Sequence, residues 1–154
     1  MKRFLFAAAL YVFAFVAPAS AQSVDAAPAV PASLVEYYDQ WTPKQWRALE
    51  KQLLKSLRAP VAQIDQSVLQ NVIYFETHYP EAMNLDRAAR RLMRIYQQHP
   101  EAPVRVMAIS ALHAVSEPET MQQLAQLIKK EESDMARHVG VAAVVDFYRS
   151  QESR

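Results

Sequence analysis

Four arginines, Arg87, Arg90, Arg91 and Arg94, crowd the stretch DRAARRLMRIY. On a helix turning about 100° per residue they share about 100° of arc, opposite Ala88, Leu92, Tyr96 and His99. A guanidinium presents paired donors that match carboxylate and phosphate oxygens, so this stripe is suited to docking an acidic protein segment or an anionic surface. It equally reads as an ordinary solvated face, with Asp86 offsetting Arg90 at i,i+4.

Other chemistry is thin. His78, His99, His113 and His138 fall on different expected helices or their ends, and neither H-x-x-x-H nor H-E-x-x-H occurs. Asp134 and His138 could share a helix face, but two ligands make a weak metal site. There is no cysteine and no G-x-S-x-G, and the single glycine, Gly140, leaves no phosphate-cradling loop. No pair of carboxylates stands out by spacing alone. The expectation is a chain without catalytic residues, cofactor or metal.

Charge and compartment narrow the classes further. Lys2 and Arg3 precede an apolar run from Phe4 to Val16, followed by Pro18 and Ala19-Ser20-Ala21, the order of a secretory signal peptide over residues 1–21. The run is shorter than the ~20 residues a membrane span requires, so no membrane insertion is expected after cleavage near Ala21. Loss of Lys2 and Arg3 turns a formal charge of +1 into −1, which argues against general nucleic-acid binding. The destination is extracytoplasmic, periplasmic or secreted, and without cysteines burial alone must hold the domain together.

The elements that position these residues read as helices. Average glycine usage of about 7% would place several in a chain of this size, and β-hairpins depend on them, so an all-α fold follows from having one. Residues 22–32, QSVDAAPAVPA, read as a flexible Ala/Pro-rich tether ahead of a single helical domain over 33–150. Ser33 and Glu36 have capping-box spacing. In WTPKQW, Thr42 is the expected N-cap, Pro43 the first helical residue, Gln45 the return of the box, and Trp41 and Trp46 a hydrophobic staple. The helix so begun buries Trp46, Leu49, Leu53 and Leu57 and turns Arg47, Lys51, Lys55 and Arg58 outward. Ser116 and Glu119 make a further capping box around Pro118.

One phrase recurs. PVRVMAISAL, residues 103–112, returns as MARHVGVAAV, residues 135–144, with Arg105 over Arg137 and Ala108 over Gly140 at an offset of 32. A fainter copy pairs Val72 with Ala108 and Ile73 with Ile109 at an offset of 36. A helix-turn-helix period in the thirties marks units that cover their apolar faces only by stacking. The segment VRVMAISALHAVSEPETMQQLAQLI resembles the short HEAT-like repeats of bacterial proteins, matched well by 104–128, partly by 136–144 and weakly by 68–96. That resemblance implies a short right-handed α-solenoid of about 6–7 helices, with N-terminal helices at 33–60, a degenerate repeat at 61–99, the best repeat at 101–132 and a half repeat at 133–150. It also implies structural roles for Arg105 and Arg137 at repeat junctions, with Glu101 and Asp134 as local partners, while Leu69 replaces the arginine in the first unit.

The last helix carries apolar residues on nearly every side, so its far face should meet the N-terminal helices, a second copy or a partner. Val141, Val145 and Tyr148 are its expected contact residues, and a homodimer through this helix is one outcome. The functional expectation is an exported, non-enzymatic adaptor for protein–protein contact in the cell envelope. The alternatives are an accessory factor or enzyme acting on a small molecule or chromophore, and an envelope sensor or regulator.

Overall fold

The computed structural model describes residues 34–153. The signal peptide, the tether and Ser33 of the first capping box lie outside the described residues. Seven α-helices follow in order: α1 (Leu34–Asp39), α2 (Pro43–Ser56), α3 (Gln66–His78), α4 (Ala89–Gln98), α5 (Ala102–Val115), α6 (Pro118–Leu127) and α7 (Asp134–Glu152). Single 3-10 turns occupy Val61–Gln63, Asp86–Ala88 and Ile128–Lys130, and no strand occurs among the described residues. The fold is all-α, as the glycine-poor composition requires.

Helix starts follow their local chemistry. At α2 the Gln45 side-chain oxygen accepts from the Thr42 amide at 2.8 Å and from its hydroxyl at 2.7 Å. The Trp41 and Trp46 rings lie 5.1 Å apart, closing the staple over the first turn. Trp46, Leu53 and Leu57 are buried and Leu49 half-buried, with the four basic residues of the opposite face exposed. Asp65 caps α3, accepting from the amides of Ser67 at 2.8 Å and Val68 at 3.3 Å.

The α5–α6 junction departs from expectation. Ser116 does not cap α6; it ends α5 in the left-handed region at φ 54°, its hydroxyl donating to the His113 carbonyl. Glu117 is the cap instead, accepting from the amides of Glu119 at 3.1 Å and Thr120 at 2.8 Å. The spacing of Ser116 and Glu119 fits a box, but one residue cannot both reverse the chain out of α5 and open α6.

Packing arranges the helices in two layers. α3, α5 and α7 lie side by side, with α5 in the middle; α4 packs on α5 and α6 on α7. α2 rests on α3, and α4 touches both α6 and the turn at Val61–Gln63. The two layers share one core, in which Leu69, Leu92, Ile109, Leu112, Met121 and Leu124 lose essentially all solvent contact. At the N-terminal end, Tyr38 fastens α1 and α2 to α3, with ring centroids 4.8 Å from Trp41, 5.0 Å from Phe75 and 5.9 Å from Trp46.

The sequence period has a counterpart in helix positions. Ala102 and Asp134, where α5 and α7 begin, are 32 residues apart, as are Asp86, where the turn into α4 begins, and Pro118, where α6 begins. Val104, Ala108, Ala111 and Val115 are buried on α5, and so are Ala136, Gly140, Ala143 and Phe147 on α7. Gly140 is required by proximity rather than by a turn. A Cβ there would stand 2.2 Å from Cδ1 and 2.5 Å from Cγ1 of Ile128, a buried residue.

Gly140→Ala should therefore destabilise the protein by about 1–2 kcal/mol in urea unfolding, although alanine is the better helix former. Ile128→Ala should cost less in the Gly140→Ala background than alone, by about 1 kcal/mol or more of coupling. Additive losses would mean that the approach of α7 to Ile128 does not limit packing.

Candidate interaction surfaces

The arginine stripe divides. Arg87, Arg90 and Arg94 are exposed, and Arg90 reaches Glu119 of α6 at 3.9 Å with both side chains largely in water. Such an exposed, long pair contributes little. Arg91 leaves the stripe: its Nε donates to the Leu57 carbonyl at 2.6 Å and its NH2 group to the Ala59 carbonyl. A helix C-terminus leaves carbonyls unsatisfied and carries partial negative charge, so α2 draws this guanidinium out of solvent. Asp86 is engaged by Asn84, whose amide donates at 3.2 Å, rather than set against Arg90 alone.

Arg105 and Arg137 have related surroundings. Arg105 donates to the carbonyls of His99 and Pro100, each at 3.3 Å, and Arg137 to the carbonyl of Glu131 at 2.9 Å, so each reaches the carbonyl six residues upstream. Arg137 also pairs with Asp134, as its spacing implied. The acidic partner of Arg105 is Glu131 at 3.4 Å, not Glu101, which stands exposed at the N-cap of α5. Burial pushes the Glu131 carboxyl up, but the Ser133 amide, the Tyr96 hydroxyl and Arg105 more than reverse this and hold it below the usual carboxylate range. Tyr96, buried and donating to Glu131, is pushed up to about 12. The junction between α4–α5 and α6–α7 is thus tied by one ionised carboxylate. Leu69, in the corresponding place on α3, is wholly buried and supplies no such group.

The histidines scatter: periodicity places His99 on the inward side of α4, whereas the partner of His113 lies on another helix. His78 and His138 are exposed, whereas His99 is buried with Nδ1 accepting from the Glu101 amide at 3.1 Å. His113 on α5 meets Asp146 on α7 at 3.0 Å. This pair borders an open groove of about 530 Å³ running across α3, α5 and α7, lined also by Ile73, Thr77, Ala114, Val139 and Ala142. Ser110 lies in the same groove, but its hydroxyl donates to the Val106 carbonyl at 3.3 Å, so it is not set as a nucleophile toward His113.

Glu76 on α3 is the other group sequence reading missed. Burial pushes its carboxyl up from 4.5 to about 7; the Leu85 amide pulls it down and the charges of Asp86 and Glu50 push it further up. One of its oxygens is buried without a hydrogen-bond partner. Its signal lies in the packing of α2 and the turn at Asp86–Ala88 around α3, which no local pattern encodes.

The outer side of α7 stays open. Met135 is 66%, Val145 49%, Val141 48% and Tyr148 44% exposed, and the N-terminal helices do not cover them. The expectation that this helix is buried all round therefore fails within one chain. Val141, Val144, Val145 and Tyr148 instead line a groove of about 400 Å³ with Ala125, Ile128 and Lys129 of the preceding helix and turn.

No protein-family description, no curated protein and no solved structure matches this chain.

Arg91→Lys keeps the charge but loses the forked contact, and should lower the unfolding free energy by about 1–2 kcal/mol, with the largest loss of amide protection in α2. An unchanged urea midpoint would remove Arg91 as the clasp. Glu76 gives a pH signature. Its native proton affinity is raised, so its contribution is fully present below about pH 4.5 and is lost as pH rises through about 7. Glu76→Gln should match wild type at about pH 4 and exceed it increasingly from about pH 4.5 to about pH 7 in thermal melts; a difference that does not vary with pH would contradict this.

Proposed function

We propose that this chain is an exported, non-enzymatic α-solenoid adaptor of the HEAT-like kind, which holds another protein in the cell envelope. The observation that carries this reading is the uncovered apolar outer face of α7. Ile109 of α5 is fully buried where its counterpart Val141 of α7 is 48% exposed, so the seam that α5 offers to its neighbours is left open on α7. Stacked helix pairs cover one another's apolar faces, so such a face left open among the described residues is a natural place for a partner.

Three further features support it. The starts of α5 and α7 lie 32 residues apart, and Arg105 and Arg137 reach back to carbonyls in the same register. The groove across α3, α5 and α7 gives the same partner a second, more polar contact. Export rests on the order of charge, apolar run and small residues before position 22, and no described helix is long and apolar enough to cross a membrane.

Affinity capture from envelope extract tests the reading. Wild-type protein should retain one stoichiometric protein, and Val141→Asp with Val145→Asp should lose it while keeping the same helix content by circular dichroism. Equal capture by both forms, or a light-absorbing small molecule that copurifies, would overturn the adaptor reading. A dimer in light scattering that the double variant abolishes would replace the foreign partner by a second copy.

A further inference from the structure

Basic side chains gather on the exposed sides of α2 and α4. Lys44, Arg47, Lys51, Lys55 and Arg58 are all exposed on α2 and the turn after it, as are Arg87, Arg90 and Arg94 at α4. Glu50, the one acid of α2, is half-buried and acts on Glu76 beneath it. On α2 the cations thus point out, while at the turn into α4 the exposed Asp86 stands beside Arg87 and Arg90.

The two basic rows adjoin. Arg91 holds the carbonyls of Leu57 and Ala59, residues that alternate with Arg58 and follow Lys55. Arg87 and Arg94 sit four residues before and three after Arg91, one helical turn to either side of that clasp. The guanidinium that drops out of the stripe is therefore the one that brings α4 against the end of α2.

We propose that the outward faces of α2 and α4 form one cationic plane that lies on an anionic phospholipid surface. α2 alone is about 21 Å long at about 1.5 Å per residue, and the cations extend from it onto a second helix, a breadth that suits a surface better than a single extended acidic segment. Lipid headgroups need no groove: each lysine or arginine near the surface adds attraction separately, and phosphate oxygens suit guanidinium donors. A near-neutral chain is no obstacle, because at physiological salt charges beyond about 8–10 Å are screened and only the facing side is felt. The α7 end and the groove across α3, α5 and α7 stay free on this arrangement, so the inference stands whether or not the adaptor reading does.

Flotation of the full chain with vesicles tests it, with neutral phosphatidylcholine vesicles reporting any contribution from the apolar N-terminal run. Binding to phosphatidylglycerol vesicles should exceed that baseline by about tenfold or more and fall steeply between about 0.1 and 0.5 M salt. Lys51→Glu with Lys55→Glu, and separately Arg87→Glu with Arg94→Glu, should each reduce partitioning about tenfold with unchanged circular dichroism. If reversal disturbs folding, Lys51→Gln with Lys55→Gln should still weaken binding in the same direction. Equal binding to both vesicle types, or reversals on α2 and α4 without effect, would overturn the proposal. Retention on polyglutamate or duplex DNA by protein that phosphatidylglycerol vesicles leave in solution would assign the face to an acidic protein or a nucleic acid instead.

Discussion

A helix with an apolar face on more than one side can be satisfied only by neighbours on more than one side, and α5 is the helix on which this constraint falls. It is the most apolar of helices α2 to α7, and α3, α4 and α7 each take one of its flanks, leaving Ala108, Ile109, Ala111 and Leu112 without solvent contact. Burying a side chain of leucine or isoleucine size contributes roughly 1.5–3 kcal/mol, and no disulfide can replace that contribution in a chain without cysteine. It places α3, α4 and α7 directly, while α2 rests on α3 and α6 packs chiefly on α7. α7 repeats the inward half of the α5 pattern without a further neighbour to cover the outward half.

Charged side chains divide into two populations with different work. Arg91, Arg105 and Arg137 bond to main-chain carbonyls at helix ends or between helices, oxygens that the helices themselves leave without a donor. Glu131 joins this population because three donors converge on it. Arg87, Arg94 and the α2 cations keep their heads in water and contribute potential rather than packing. Residue type does not separate the two groups; proximity to an uncapped carbonyl does.

What was legible beforehand follows from the same distinction. Helix class, the Thr42–Gln45 cap, the Trp41–Trp46 staple and the buried stripe of α2 are written in residues three or four apart, and a single helix turn brings those together. The internal period was visible because the same burial problem recurs at Val104 and Ala136. Arg91 could not be distinguished from Arg90 by any local rule, since the oxygens that capture it lie more than thirty residues earlier in the chain. His113 with Asp146 and the acids around Glu76 are likewise products of layer stacking. At Ser116 a valid local pattern lost to a neighbouring need, the exit from α5.

Both tryptophans of the chain belong to the aromatic cluster at the N-terminal end, with centroids 5.1 Å apart. Emission of this protein is therefore a local optical probe, reading the seating of α1 and α2 on α3 and nothing of α5 to α7, whereas ellipticity averages over all the helices. Because α2 meets the other helices mainly through α3, the two signals need not change together. Their separation along a denaturant axis would measure how far cooperativity travels from one end of the molecule to the other.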